Sequence, residues 1–284
     1  MISIFTLPKS FKDHTGLIQR NAIKSWKILS PEIDIILFGD DEGVEDFAKE
    51  MNLRYGGPLK RNASGTPMMD DMFAKASSMA KFSSMCYINA DIILLGDFME
   101  IATRVKQIAN TKKYLVIGQR WNIDWDINND TMPGWQNTIL EKVRKEGKMS
   151  NPAYDYFLYS KGLFDKILPF AIGRLAFDIW FMYHAHNSNA LLIDVSENIK
   201  CIHQNHNYKH IEKDYIKRND LSVYNPEVRN NLQICGSSLL KLWLPVYTIS
   251  GQSVKLNCIE TLKNFYYALR RKITWRIYGL ISWI

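Results

Sequence analysis

Short, continuously apolar runs alternate along this chain with longer stretches of helical spacing. Ile2–Leu7 is apolar with β-branched residues and predicts a buried first strand. After a polar loop, Pro8–Thr15, the residues Leu17, Ile18, Ala22, Ile23 and Trp26 fall near 3.6 spacing. They predict a helix that Ser30-Pro31 stops. Ile33–Phe38 reads as a second strand ending at Gly39-Asp40-Asp41, and Val44–Met51 as a short helix. Strand, helix, strand in that order opens a parallel sheet with crossover connections.

The alternation continues. Gly56–Thr66 reads as a loop, and Met68–Phe82 as a helix with Met69, Met72, Phe73, Ala76 and Met79 on one side. Met85–Leu95 reads as a single strand interrupted by polar Asn89 and Asp91. Leu115–Ile117 predicts another strand, and Trp121–Trp135 a loop rich in Trp, Asp and Asn. The run Ala153–Leu158, helical patterns over 161–168 and 175–184, and a strand over 190–195 complete the body, with no internal repeat. The expected class is α/β, a mixed but mainly parallel sheet with helices on both faces.

Length and composition narrow the class of protein. At 284 residues, with 46% hydrophobic and 23% charged residues, the chain suits one large domain with a short appendage. Disorder, collagen and a multi-span membrane protein are excluded. Cys86, Cys201, Cys235 and Cys258 are scattered with no C-x-x-C pair, which predicts reduced thiols in a cytoplasmic setting. The first ten residues lack a basic start and a long apolar run, so no signal peptide is expected.

Charge divides the chain. Of the net +7, almost all lies beyond residue 240, where seven Lys and Arg residues meet the single anion Glu260. A nearly neutral body argues against a nucleic-acid partner. The division expected is a catalytic body over 1–240 and a basic tail over 241–284. In the tail, Ile259, Leu262, Tyr266, Leu269, Ile273, Ile277, Leu280 and Ile284 recur every three or four residues, forming one apolar stripe. Lys263, Arg270, Lys272 and Arg276 flank it, and Trp275 and Trp283 add interfacial aromatics. The pattern predicts an amphipathic helix lying on an anionic membrane surface. A helix docked on the body or a dimer contact would use the same stripe.

Four groups of residues could carry chemistry. Asn89-Ala90-Asp91 places a carboxylate and an amide inside a hydrophobic strand, at a cost of several kcal/mol unless a cation compensates. In a strand the two side chains alternate onto one face, at the sheet end where open α/β sheets bind ligands. An aspartate capping the next turn is the alternative. Arg174 and Asp178 are four apart and share a helix face if the segment is helical, as a catalytic pair or as a plain ion pair. His203, His206 and His210 have ligand spacing in I-H-Q-N-H-N-Y-K-H, whereas His184 and His186 read as structural. Trp121, Asp124 and Asp155 combine aromatic faces with hydroxyl-binding carboxylates, a surface suited to a sugar acceptor, or else form a partly buried aromatic loop.

The stretch F-A-K-A-S-S-M-A-K-F-S-S-M-C-Y-I-N-A-D-I-I-L-L resembles the metal-binding D-x-D element of GT-A-fold, nucleotide-sugar-dependent glycosyltransferases. The resemblance runs loosely from residue 1 to about 210. It implies that the Thr6–Lys9 loop and the Asp40-Asp41 strand end cradle the base and ribose of the donor. It implies that Asp91, with Asn89 and His203 or His206, holds a divalent cation (Mn²⁺ or Mg²⁺) on the donor's phosphates. Asp178 becomes the general base of an inverting enzyme, with Arg174 orienting it or contacting the donor. The expected reaction moves a sugar, from a UDP-sugar, to a glycan or lipid-linked glycan acceptor in bacterial surface-polysaccharide synthesis. The chain departs from the family pattern at Asn89, where the first aspartate of D-x-D is expected. A sugar-nucleotide pyrophosphorylase shares the sheet and metal logic, although the chain lacks a glycine-rich N-terminal signature. An inactive membrane-associated carbohydrate-binding protein is the non-enzyme alternative.

Overall fold

The computed structural model describes residues 1–206, 225–236, 246–250, 253–259, 261–262 and 265–266. Its first half follows the hydrophobic pattern closely: β1 (Ser3–Thr6), α1 (Asp13–Lys27), β2 (Asp34–Phe38), α2 (Val44–Glu50), β3 (Arg54–Gly57) and α3 (Met69–Met79). The chain then forms β4 (Ser84–Ile88), β5 (Ile92–Ile93), α4 (Gly96–Ala109), β6 (Tyr114–Ile123), α5 (Trp135–Glu146) and β7 (Lys148–Ser160). It continues with α6 (Phe177–Asn187), β8 (Leu191–Asp194), β9 (Cys201–Gln204), α7 (Pro226–Cys235), β10 (Tyr247–Ser250) and β11 (Ser253–Leu256).

Eleven strands among the described residues form one sheet, whose main path runs β11-β10-β8-β6-β7-β4-β1-β2-β3. β1 lies between β2 and β4 and is parallel to both. The chain therefore travels outward from β1 through β2 and β3, then returns to the other side of β1. Such a reversal opens a crevice at the carboxyl ends of the two central strands. β7 runs antiparallel between β4 and β6. Helices cover both faces. Ile23 and Trp26 of α1, Phe47 of α2, and Phe98 and Val105 of α4 pack in one core cluster. Met72 and Phe73 of α3 and Trp180 and Phe181 of α6 pack in the other.

Several elements differ from the sequence expectation. Met85–Leu95 is two strands, because the chain turns at Asn89-Ala90-Asp91, where short polar side chains favour a turn over a ladder. After the turn, β5 pairs antiparallel with β9, and β9 pairs parallel with the far half of β6. The 121–135 segment is not all loop, since β6 runs to Ile123 and a helix begins at Trp135. The 161–168 stretch is non-helical: Gly162 turns at φ +86 and sends Leu163 and Phe164 into the core. β3 occupies the start of the expected 56–66 loop.

The basic tail does not begin at a structural boundary. β10 joins the sheet parallel to β8, with Tyr247 opposite Ile193, and β11 folds back on β10. Thr261 is buried, and its hydroxyl accepts a 3.1 Å bond from the Val246 amide. The chain thus belongs to the body as far as Thr261, while Ile259, Leu262 and Tyr266 of the apolar stripe are exposed. His210 and the stripe from Leu269 onward lie outside the described residues.

Asn21 of α1 ties the sheet end to the loop beyond β6. Its amide donates to Ile127 O (2.8 Å) and Gln204 Oε1 (3.0 Å), and its oxygen accepts from the Asn129 amide (3.1 Å). Replacing it in Asn21→Ala leaves buried donors and acceptors unsatisfied, at a cost of about 2–3 kcal/mol. Urea denaturation should show that loss, and a change below about 0.5 kcal/mol would contradict the assignment.

Candidate metal centre

The pairing of β5 with β9 sets Ile92 opposite His203. Asp91, one residue before Ile92, is thereby carried to the same end as His203 and the residues that follow it. Gln204 fixes this meeting, donating to the Asp91 carbonyl from its amide (3.4 Å) and from its side chain (3.1 Å). Asp91 Oδ2 lies 3.4 Å from His203 Nε2 and 3.1 Å from His206 Nε2. Ligand atoms of all three residues fall within 4.8 Å of one another.

These distances suit one cation. Two ligands about 2.0–2.2 Å from an ion, at roughly right angles, stand about 3 Å apart. The His203 ring is buried while Asp91 and His206 are half-buried, so the group opens to one side. Asp91 Oδ1 is buried and has no hydrogen-bond partner among the described residues, a cost that a bound cation would remove. Burial opposes ionisation of Asp91, but hydrogen bonds and charge from His203 and His206 outweigh it. They hold the carboxyl well below the usual carboxylate range. An ionised oxygen beside two imidazoles is a donor set compatible with Mn²⁺.

Asn89 is not part of this group. Its side-chain amide donates to Asp155 Oδ1 (2.7 Å), its backbone amide donates to Asp155 O (2.9 Å), and its oxygen accepts from the Tyr87 hydroxyl (3.3 Å). The expectation of Asn89 as a ligand rested on a continuous strand, and the turn removes that alternation. Asp155, expected to bind an acceptor, is buried beside Asn89. It is 7% exposed and pairs through Oδ2 with Arg120 at 2.8 Å. Burial raises its pKa, Arg120 opposes that rise, and Asp91 adds to it. Sequence reading missed Arg120, which belongs to no motif and becomes visible only when β6 and β7 pair.

Arg174 and Asp178 do not share a helix face. The turn before α6 passes through Gly173 (φ +74) and Ala176 (φ +92), and the helix starts at Phe177. Arg174 instead grips Glu227 at the start of α7, with Nε at 2.9 Å and Nη2 at 2.6 Å from Oε2. Asn62 donates to the other oxygen of Glu227 at 2.7 Å. Arg174 therefore ties α7 to two turns. Asp178 is half-buried in the first turn of α6, its Oδ1 accepting from the Ile179 amide at 2.9 Å. The neighbouring Phe177 ring lies edge-on to Tyr87 and Phe157, which brings this turn against β4 and β7 where those two residues pair.

The remaining expected residues divide between crevice and periphery. Thr6 ends β1 beside β4. It is buried, and its hydroxyl has no hydrogen-bond partner among the described residues. Lys9 is exposed, with its backbone amide held by Gln19 Oε1 at 2.7 Å. Asp40 and Asp41 are exposed beyond β2, and Asp40 pairs with Arg61. Trp121 pairs in register with Ile202 and so faces away from the next residue, His203. Half-buried, it packs with Ile123, Trp125 and Ile139 beneath α5. Asp124 is exposed and accepts from Asn205 Nδ2 at 2.8 Å. His184, as expected, is structural: it stacks on Trp180 and meets Leu163 O at 3.0 Å.

No family model matches the sequence, and no curated protein matches it. Solved structures do. Residues 1–349 of S. aureus TarS in complex with UDP-GlcNAc align over 96% of this chain and 72% of that one, with 11% identity and a TM-score of 0.56. The same protein in complex with UDP gives 10% identity, the same coverages and a TM-score of 0.54. A glucosyl-3-phosphoglycerate synthase from Mycobacterium tuberculosis, in complex with Mn²⁺, UDP-glucose and phosphoglyceric acid, aligns over 83% of this chain and 80% of that one. Its identity is 14% and its TM-score 0.46, which adds nothing to the fold assignment. The architecture expected from the N-A-D stretch is the one found: this chain has the GT-A fold.

Proposed function

We propose that the protein transfers a sugar from a nucleoside diphosphate sugar, a UDP-sugar, to an acceptor hydroxyl. The observation that carries this reading is the Asp91–His203–His206 group, which stands where the β1–β4 reversal opens the sheet. TarS, which shares the fold, binds UDP-GlcNAc and UDP. Thr6, which ends β1, and Asp40-Asp41, beyond the end of the neighbouring strand β2, are assigned to the nucleoside. A divalent cation held by Asp91, His203 and His206 would supply positive charge for the departing diphosphate.

The rest of the chemistry belongs to the chain. Asp178 accepts the proton of the acceptor hydroxyl as that oxygen bonds to the anomeric carbon, and the bond from carbon to the diphosphate oxygen breaks. This is an inverting reaction with one carboxylate as base. The acceptor we assign is a glycan or lipid-linked glycan on the cytoplasmic face of a membrane, in surface-polysaccharide synthesis. Supporting this are the exposed Ile259, Leu262 and Tyr266 and the basic sequence that follows them. No helix among the described residues is long and apolar enough to cross a membrane.

Three outcomes are expected. UDP should raise the Tm of the protein in Mn²⁺ but not in a chelator, and Asp91→Ala should abolish the shift; an equal shift in the variant would sink the assignment. Asp178→Asn keeps size and hydrogen bonding without a basic oxygen. Its kcat should fall by about 10²–10⁴ with donor binding unchanged, as read by initial rates and donor titration. A chain ending at Tyr266 should leave anionic liposomes in a flotation assay yet retain UDP-sugar hydrolysis, and equal flotation of both forms would remove the membrane from the account.

A further inference from the structure

Position 89 carries an amide where a two-carboxylate motif would carry an acid, and the surroundings of Asn89 give that choice a physical reason. Asn89 is bound twice to one residue, by its backbone amide to Asp155 O and by its side-chain amide to Asp155 Oδ1. Its own carbonyl accepts from the Ile92 amide at 3.3 Å, closing the turn that presents Asp91. Asp155 is in turn held from the opposite side by Arg120. The path from Arg120 through Asp155 and Asn89 to the turn is continuous, and each link is a hydrogen bond between groups that are buried or half-buried.

We infer that the Arg120–Asp155 pair positions the metal-binding turn through position 89, so that an amide facing a carboxylate across positions 89 and 155 is required for tight metal binding. The inference rests on the proposed metal site. An aspartate at 89 would nominally complete a D-x-D motif. In this chain it would lose the donor to Asp155 and set carboxylate against carboxylate where nitrogen and oxygen now meet at 2.7 Å. Like charges at that distance repel, and Arg120 gives only one cation to both. The turn would open and carry Asp91 away from the imidazoles. Groups that orient metal ligands in this way change metal affinity by about 10–100-fold when altered.

Exchanging the two side chains separates positioning from simple charge. In Asn89→Asp combined with Asp155→Asn, the amide at position 155 can donate to the carboxylate at position 89, and net charge is unchanged. Mn²⁺ affinity measured by electron paramagnetic resonance titration of the full chain should fall about 10–100-fold in Asn89→Asp. It should recover to within about threefold of wild type in the exchanged form, with unchanged circular dichroism throughout. If Asn89→Asp does not fold, the exchanged form alone decides, and loss of Mn²⁺ binding there overturns the inference. Binding in Asn89→Asp as tight as wild type, or tighter, also overturns it and leaves the metal site standing. Absence of Mn²⁺ binding by the wild-type chain would remove the site and the inference together.

Discussion

A two-residue ladder carries the candidate site. β5 consists of Ile92 and Ile93, and its pairing with Ile202 and His203 brings together Asp91 and the histidines, which are more than a hundred residues apart in sequence. So short a ladder offers few main-chain bonds, and side chains supply the rest. Trp26 Nε1 donates to Ile92 O at 2.7 Å, Ser25 Oγ accepts from the Leu94 amide at 3.1 Å, and Gln204 reaches the Asp91 and Ile18 carbonyls. Helix α1 thus serves as the backing against which the metal turn is held. Its apolar side supplies burial, and its few polar side chains supply register.

The electrostatics follow from the same geometry. Two carboxylates, Asp91 and Asp155, are brought to one sheet end, and each has its own cationic or cation-binding partner: imidazoles for the first, Arg120 for the second. Asn89 lies beside the second acid as a neutral donor. A third carboxylate there would leave one acid without compensation in a poorly hydrated place. One aspartate and two histidines are left as the candidate ligands for a cation.

Much of the fold was legible in the sequence. The apolar runs at Ile2–Leu7 and Ile33–Phe38 correspond to β1 and β2, and the helical spacing after each polar loop corresponds to α1 and α3. The I-N-A-D-I stretch and the two nearer histidines pointed to a site at the end of β4. Illegible was the turn inside Met85–Leu95, because hydrophobicity continues on both sides of it and only Asn89 and Asp91 mark the break. The partners of Asp155 and Arg174 were hidden for another reason. Arg120 and Glu227 lie far away in sequence, and spacing along the chain says nothing about which strands and helices become neighbours. Spacing did mislead at Arg174, where four residues suggested a helix that the turn through Gly173 and Ala176 forbids. Charge misled at residue 241, since β10 and β11 belong to the sheet although the segment is basic.

The central claim is that Asp91, His203 and His206 hold one divalent cation at the mouth of the β1–β4 crevice. Crystals grown with Mn²⁺ and UDP, with diffraction recorded at the manganese absorption edge, test it directly. The account predicts a single anomalous peak within bonding distance of Asp91 Oδ, His203 Nε2 and His206 Nε2, in contact with the diphosphate. A peak elsewhere, or UDP bound with no anomalous scatterer beside Asp91, would contradict it.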